Sequence, residues 1–178
     1  LRSMKLATFT HAGATRIGVV VGDELVDLCA AAPGLPREME AFLAAGPDAL
    51  ELARGATRGG PRIPLAQVKT EAPCLRPRKF LAIGLNYADH IAETGRPAPE
   101  FPVFFNKQTS CVNGPYDPIW MPRVSDKLDY EGELALVIGR RCRHVPKARA
   151  REVIAGYLIC NDVSVRDWQQ RAPTMTLG

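Results

Sequence analysis

The stretch Leu128-Asp129-Tyr130-Glu131-Gly132-Glu133-Leu134-Ala135-Leu136-Val137-Ile138 alternates between two sets of side chains with a period of two residues. A period of two is typical of a β-strand, so residues 128–138 are predicted to form one long strand. The even-numbered positions form an apolar and aromatic face. The odd-numbered positions form the other face, which begins with three acids and ends with Ala135 and Val137.

The two glutamates of this second face lie near each other. At about 3.3 Å per residue, the β-carbons of Glu131 and Glu133 are roughly 6.6 Å apart on one side of the strand. An edge strand with this face in water would tolerate both charges. Ala135 and Val137 continue the face as apolar residues, so we expect it to be covered, and no basic residue alternates with the acids. Covered acids need a partner, and a divalent cation such as Mg²⁺ or Mn²⁺ meets that need.

A third acid, Asp162, follows an apolar strand predicted over residues 156–161 and precedes a helix predicted over residues 164–171. An acid in this position commonly caps the following helix. Ser164 is better placed for the cap, which leaves Asp162 as a candidate third oxygen ligand beside Glu131 and Glu133.

A helix predicted over Ala88–Thr94 carries His90 and Glu93 three residues apart, so their side chains are neighbours on one face. A carboxylate beside an imidazole raises its basicity, which suits a base that activates water. The alternative is an ordinary surface ion pair. Lys107 follows a strand predicted over Val103–Asn106, where it either holds a substrate anion or is a surface lysine.

Composition limits the class of protein. The 178 residues are 46% hydrophobic and 24% charged, which is typical of a globular chain of about one domain. No stretch approaches the ~18 apolar residues of a membrane span, so we expect no membrane partner. The net charge is +4, and the basic cluster within residues 140–151 lacks aromatic residues for base stacking, so we expect no nucleic acid either. Five cysteines without CxxC spacing indicate a reducing, cytoplasmic location.

Three blocks of sequence resemble the fumarylacetoacetate hydrolase family. They are Ile83-Gly84-Leu85-Asn86-Tyr87-Ala88-Asp89-His90, Asp129-Tyr130-Glu131-Gly132-Glu133-Leu134 and Asn161-Asp162-Val163-Ser164-Val165-Arg166-Asp167. The resemblance implies an α+β, mostly β fold: a mixed β-roll with a small N-terminal α/β accessory domain. We place the accessory domain and a linker rich in Gly, Pro and Arg at residues 1–64, and the catalytic domain at residues 65–178.

The same resemblance implies a role for each candidate residue. The implied metal ligands for Mg²⁺ or Mn²⁺ are Glu131, Glu133 and Asp162. The pair that orients and deprotonates water is His90 with Glu93. The positions that contact the substrate are Lys107, Arg166 and Gln169.

The resemblance also implies a chemistry and an assembly. Members of the family cleave acylpyruvates, hydrate or isomerise 2-hydroxy-dienedioates from aromatic catabolism, or decarboxylate oxaloacetate, through an enolate that the metal stabilises. We therefore expect a homodimeric enzyme for a small 2-keto acid, with a non-catalytic metal- or ligand-binding relative as the alternative. Relatives continue after Thr-Leu-Gly with a lysine-containing segment, so we expect the native product to extend past Gly178 and the present chain to be truncated and inactive.

Overall fold

The computed structural model describes residues 4–178, so residues 1–3 of the predicted accessory domain lie outside it. Strands dominate the described part. They are β1 (Lys5–His11), β2 (Ala14–Val21), β3 (Glu24–Asp27), β4 (Arg62–Pro64), β5 (Lys69–Thr70), β6 (Leu81–Gly84), β7 (Val103–Asn106), β8 (Leu128–Asp129), β9 (Gly132–Ile138), β10 (Ile154–Asn161) and β11 (Ser164–Val165). The α-helices are α1 (Leu28–Ala31), α2 (Met39–Ala44), α3 (Pro47–Ala56), α4 (Ala88–Thr94) and α5 (Arg166–Gln169). The predicted α+β, mostly β class is confirmed.

The chain forms two compact units. The first contains the described residues up to Arg76 together with Val112–Pro118 and Glu133–Cys160. The second contains Pro77–Cys111, Ile119–Gly132 and Asn161–Gly178. No helix in the described residues is both long enough and apolar enough to span a bilayer.

The first unit is built on a five-stranded sheet in the order β4-β3-β2-β1-β5, with antiparallel neighbours. Strands β1 and β2 are joined through Ala12 and Gly13, which both have positive φ angles of 49° and 75°. A two-residue hairpin turn needs this left-handed backbone, because its twist then matches the twist of the flanking strands. The register that follows places Ile17 and Val19 on the buried face of β2.

The helices of the first unit cover that buried face. Their apolar side chains join the strand residues in one core, and Phe42, Leu28 and Ile17 are fully buried within it. The buried core residues are Ile17, Val19, Leu28, Leu35, Met39, Phe42, Ala49 and Ala53. Helix α3 begins at Pro47, as expected of a residue whose fixed φ suits the first helical position.

This sheet continues past the domain boundary predicted at residues 64 and 65. Strand β4 contains Arg62–Pro64, the end of the predicted linker, and pairs with β3. Strand β5 pairs with β1 through Lys69 and Thr70. The end of the predicted linker therefore supplies one outer strand of the N-terminal sheet, and two residues assigned to the catalytic domain supply the other.

Two short sheets position the polar residues of the second unit. In the antiparallel pair of β6 and β7, Leu81 lies opposite Asn106, and Lys107 N donates to Phe80 O at 2.9 Å beyond the end of the ladder. In the antiparallel pair of β8 and β11, Asp129 lies opposite Ser164. Arg166 N extends that ladder by donating to Lys127 O at 2.9 Å.

The prediction of one long strand over residues 128–138 is wrong, because the strand is interrupted at Tyr130 and Glu131. Strand β8 pairs with β11, whereas β9 pairs with β10. At the break, Tyr130 N donates to Asp129 Oδ1 at 3.0 Å and Glu131 N donates to Asn161 Oδ1 at 2.9 Å. Side-chain acceptors thus replace the ladder where the chain passes from one sheet to the next.

The predicted covering of the acidic face is confirmed along β9. Glu133, Ala135 and Val137 are half-buried, whereas Leu134 and Leu136 on the opposite face are exposed.

The helix predicted over residues 164–171 is also shorter than expected. Ser164 and Val165 form β11, and α5 covers only Arg166–Gln169. Ser164 is not its N-cap: its hydroxyl donates to Asp162 O at 3.3 Å, and Val165 stands at the cap position without a side-chain bond. Pairing with β8 takes Ser164 and Val165 out of the helix.

Candidate functional site

The structure brings two of the three predicted metal ligands together in the second unit. Asp162 N donates to Glu131 O at 2.8 Å, and Asn161, the last residue of β10, accepts the Glu131 N–H through its side chain. Both carboxylates are shielded from solvent: the side chain of Glu131 is 18% exposed and that of Asp162 is 13% exposed. One backbone hydrogen bond and the side chain of Asn161 therefore hold the backbones of the two acids side by side.

One oxygen of each acid is buried without a hydrogen bond. These atoms are Glu131 Oε1 and Asp162 Oδ1. Burying a carboxylate oxygen is costly unless a donor or a cation compensates for the lost water. The two oxygens consequently require positive charge close by.

Lys107 supplies part of that charge. Its ammonium forms an ion pair with Asp162 Oδ1, and its side chain is only 17% exposed. The hydrogen bond from Lys107 N to Phe80 O, just beyond the pair of β6 and β7, fixes the backbone of Lys107. The alternative interpretation of Lys107 as a surface lysine is therefore wrong, because the lysine is enclosed beside a carboxylate.

Arg166 supplies the rest. Its Nη1 lies 2.8 Å from Glu131 Oε1, and its Nε donates to Asp129 Oδ2 at 2.8 Å. Its Nη1 also donates to Gln169 Oε1 at 3.2 Å. We call Lys107, Asp129, Glu131, Asp162, Arg166 and Gln169 the acid–base cluster.

The cluster corrects one premise of the sequence argument. Basic partners do exist for the acids, although none alternates with them along the strand. Lys107 and Arg166 reach them from strand ends that are distant in sequence. Asp129 is a member that sequence reasoning did not assign to the site, and its position on the acidic strand face was the available signal.

The donor set fits a hard divalent cation. Mg²⁺ usually takes one or two protein carboxylates and completes its octahedron with water and substrate oxygens. Glu131 and Asp162 are two such carboxylates, each with a buried oxygen that accepts no hydrogen bond. No three His, Cys, Asp or Glu side chains within residues 4–178 are arranged as a complete metal site. Glu133 is half-buried on β9, and its part in metal binding stays a prediction.

The predicted helix over Ala88–Thr94 is confirmed as α4, with its C-terminus closed by Gly95 in the left-handed conformation at φ 64°. His90 and Glu93 are both exposed on this helix. Among the contacts of the described residues, no ion pair or hydrogen bond joins these two side chains. Their joint role as a water-activating pair stays a prediction.

Gln169 contacts Arg166 and so belongs to the acid–base cluster. A substrate contact by Lys107, Arg166 or Gln169 stays a prediction. In the structure all three side chains are engaged with protein groups around the two shielded carboxylates. They therefore lie around the carboxylates of Glu131 and Asp162.

Comparison with known proteins agrees with the family resemblance of the three sequence blocks. A family model described as fumarylacetoacetate (FAA) hydrolase C-terminal matches residues 79–178. The mitochondrial oxaloacetate tautomerase of Rattus norvegicus is 40% identical over 175 residues, which are 96% of this chain and 56% of the relative. The chain thus spans about half the length of the curated relatives it matches. The name of that relative places the relative in mitochondria, and the cytoplasmic location expected for this chain stays a prediction.

Two solved structures share the fold. Fumarylacetoacetate hydrolase from Exiguobacterium antarcticum superposes with a TM-score of 0.80 at 34% identity, covering 98% of this chain and 61% of that chain. Maleylpyruvate hydrolase from Sphingobium sp. SYK-6 was solved in complex with manganese(II) ion and pyruvate. It has a TM-score of 0.78 at 33% identity, and the match covers 97% of this chain and 62% of that chain. The fold expected from the three sequence blocks is therefore confirmed.

Proposed function

The chain belongs to the fumarylacetoacetate hydrolase family, and from this premise we propose that it carries the site of a divalent-metal-dependent enzyme for small 2-keto acids. The reaction proposed first is proton transfer between the keto and enol forms of a 2-keto diacid such as oxaloacetate. Support comes from the rat oxaloacetate tautomerase, which matches nearly the whole of this chain.

The observation that carries the proposal is the pair of buried oxygens, Glu131 Oε1 and Asp162 Oδ1, which require positive charge and have Arg166 and Lys107 as their ion-pair partners. A 2-keto acid presents a carboxylate and a keto oxygen in one plane, which is a chelating arrangement for a hard cation. Glu131 and Asp162 are the residues that would hold Mg²⁺ or Mn²⁺. When bound, the cation supplies Lewis-acid stabilisation of the negative charge that develops on the keto oxygen.

The chain's own residues prepare the site for an anionic substrate. The acid–base cluster contains three acidic and two basic side chains, so its formal charge has one excess negative unit. A divalent cation would change the sign of that charge and attract a dicarboxylate. Lys107 and Arg166 are positioned to share their charge with a substrate carboxylate, while Gln169 holds one nitrogen of Arg166.

His90 is the residue proposed to move the proton. An imidazole is the side chain whose ordinary titration range suits proton transfer near neutral pH. A nitrogen of His90 would take a proton from the carbon next to the keto group and return it to the enolate oxygen. Glu93, one helical turn away on α4, would orient the imidazole.

Hydrolytic cleavage of an acylpyruvate is a second candidate reaction. It is favoured by the maleylpyruvate hydrolase structure, which is in complex with manganese(II) ion and pyruvate. In that reaction His90 would take a proton from water, the hydroxide would add to the distal carbonyl carbon, and the electrons of the broken carbon–carbon bond would form the enolate of pyruvate. Both reactions pass through an enolate at the same keto acid group.

Metal removal is the experiment that tests the proposal. The full-length protein treated with EDTA is expected to lose about 10²-fold or more of its activity, because Lewis-acid stabilisation is worth several kcal/mol. Addition of Mg²⁺ or Mn²⁺ should restore it. The measurement is the loss of enol absorbance with oxaloacetate as substrate. Acetylpyruvate and 2-hydroxy-hepta-2,4-diene-1,7-dioate are tested separately as alternative substrates.

Two variants sharpen this test. Glu131→Gln removes a proposed ligand and should prevent restoration at the cation concentration that restores the wild type. Glu152→Gln makes the same change at an exposed glutamate paired with arginines of its own segment, and should behave as the wild type. Full activity after complete metal removal would contradict the proposed mechanism. Binding of cation and keto acid without turnover would instead indicate a non-catalytic relative.

A further inference from the structure

We infer that Asp129 is a positioning residue that acts on Glu131 through Arg166. This inference rests on the proposed function, because it concerns how the proposed metal ligand is kept available. Asp129 and Glu131 approach the same guanidinium from two sides, and Arg166 Nη1 and Nε connect them. The role differs from that of a metal ligand or a substrate contact.

Both oxygens of the Asp129 carboxylate have protein partners, although the side chain is 43% exposed. Its Oδ1 accepts from Tyr130 N at 3.0 Å. Its Oδ2 accepts from Arg166 Nε at 2.8 Å, and Arg166 Nη2 lies 2.8 Å from the same oxygen. Asp129 is therefore occupied in holding an arginine rather than in offering oxygens to a cation.

The guanidinium transmits this constraint because it is planar and rigid. Once Nε and Nη2 are fixed on Asp129, the position of Nη1 is determined as well. Nη1 then lies 2.8 Å from Glu131 Oε1, yet that oxygen has no aligned hydrogen bond. Arg166 thus provides positive charge to Glu131 through Nη1 while its other two nitrogens stay on Asp129.

The backbone holds the two ends of this link in register. Asp129 lies opposite Ser164 in the pair of β8 and β11, and Arg166 N donates to Lys127 O at 2.9 Å. Arg166 therefore starts α5 directly beside Asp129. The side-chain link does not depend on a flexible loop.

Neutralising Asp129 should release Arg166. In Asp129→Asn the shape is kept, but the charge that draws Nε and Nη2 is lost. The guanidinium can then rotate onto Glu131 and make the bidentate contact that arginine favours with a carboxylate. A cation would have to compete with arginine for the same oxygens, so its affinity should fall. Partners of metal ligands typically contribute 10- to 100-fold to affinity, and we expect a loss of about that size.

The test measures Mn²⁺ binding rather than activity. Free Mn²⁺ is followed by electron paramagnetic resonance during titration of the full-length metal-free protein, for the wild type, Asp129→Asn and Asp126→Asn. Asp126 is an exposed acid three residues earlier that pairs with Lys127, so its variant removes the same charge nearby without touching Arg166. We expect Kd to rise about 10-fold or more in Asp129→Asn and less than about twofold in Asp126→Asn.

The outcomes separate this inference from the proposed function. A wild type that binds no Mn²⁺ overturns both. A wild type that binds Mn²⁺ while Asp129→Asn binds equally well, or while Asp126→Asn loses as much, overturns the inference alone. A loss of affinity with unchanged unfolding temperature of the metal-free protein supports it, whereas a parallel loss of stability overturns it.

If Asp129→Asn does not fold, Arg166→Lys tests the link from the other side. This variant keeps the charge but cannot span both carboxylates, and wild-type affinity in it would overturn the inference.

Discussion

Replacing His90 with alanine is expected to slow conversion of the 2-keto acid substrate by about 10²- to 10⁴-fold, the usual contribution of a positioned general base or acid. The effect should be large because, in the proposed mechanism, every turnover moves a proton through this imidazole. Mn²⁺ affinity should stay within about twofold of the wild type. His90 lies on helix α4, whereas the proposed ligands Glu131 and Asp162 lie next to the ends of β8 and β10.

Steady-state kinetics and Mn²⁺ titration on the same full-length preparation provide the two measurements. The matched control is His144→Asn, which removes an exposed histidine at a left-handed position of φ 53° that asparagine tolerates. This control should be as active as the wild type. An equal loss of activity and of metal affinity in His90→Ala would identify His90 as a metal ligand. Unchanged activity would exclude it from proton transfer.

Replacing Asp27 with asparagine is expected to destabilise the first unit by about 3 kcal/mol, at the lower end of the range for breaking a buried ion pair. Arg16 Nε donates to Asp27 Oδ2 at 2.6 Å, and the two side chains are only 14% and 7% exposed. Asparagine keeps an oxygen that can cap α1, as Asp27 Oδ1 does for Cys29 N at 2.9 Å. The charge of Arg16, however, loses its buried partner.

The loss should not reach the upper end of that range, because Arg16 keeps other acceptors. Its Nη1 donates to His11 O and Ala14 O at 3.2 Å each. Hydrogen exchange of the β2 amides measures the stability of the first unit directly. Tryptophan fluorescence would not report on this unit, because both tryptophans belong to the second unit.

Glu24→Gln on the same strand is the control for the stability prediction. It breaks an exposed pair with Arg62 at 3.1 Å, and such pairs contribute at most about 1 kcal/mol. Equal protection of the β2 amides in the two variants would show that burial of the Arg16–Asp27 pair adds nothing to stability.

Local sequence patterns predicted those elements whose structure depends on neighbours in the chain. Strand β7 and helix α4 lie at the predicted residues, and helix α3 begins at Pro47 as expected. The hairpin turns at Gly13 and Gly22 follow from glycines, which accept a left-handed backbone without steric cost. These features are decided within a few residues, so the sequence is sufficient.

Local sequence patterns gave wrong elements where a strand distant in sequence pairs with the backbone. The period of two continues through Tyr130 and Glu131, yet the chain changes partner there, from β11 to β10. Likewise, Ser164 resembles a helix cap but pairs with β8 instead. Pairing between strands about 35 residues apart is decided by which backbones meet in the folded chain, and no local period records it.

For the site, the sequence by itself determined the chemistry of the candidates: acids on a covered strand face, a histidine on a helix and a strand-end lysine. Their resemblance to a known family determined the proposed roles. The tertiary structure alone decided that Lys107 pairs with Asp162 and that Arg166 joins Asp129 to Glu131. The physical reason is that Coulomb interactions act across space at a few ångströms, whereas these partners are separated by 55, 37 and 35 positions in the chain. Only the meeting of strand ends in the fold brings them within that distance.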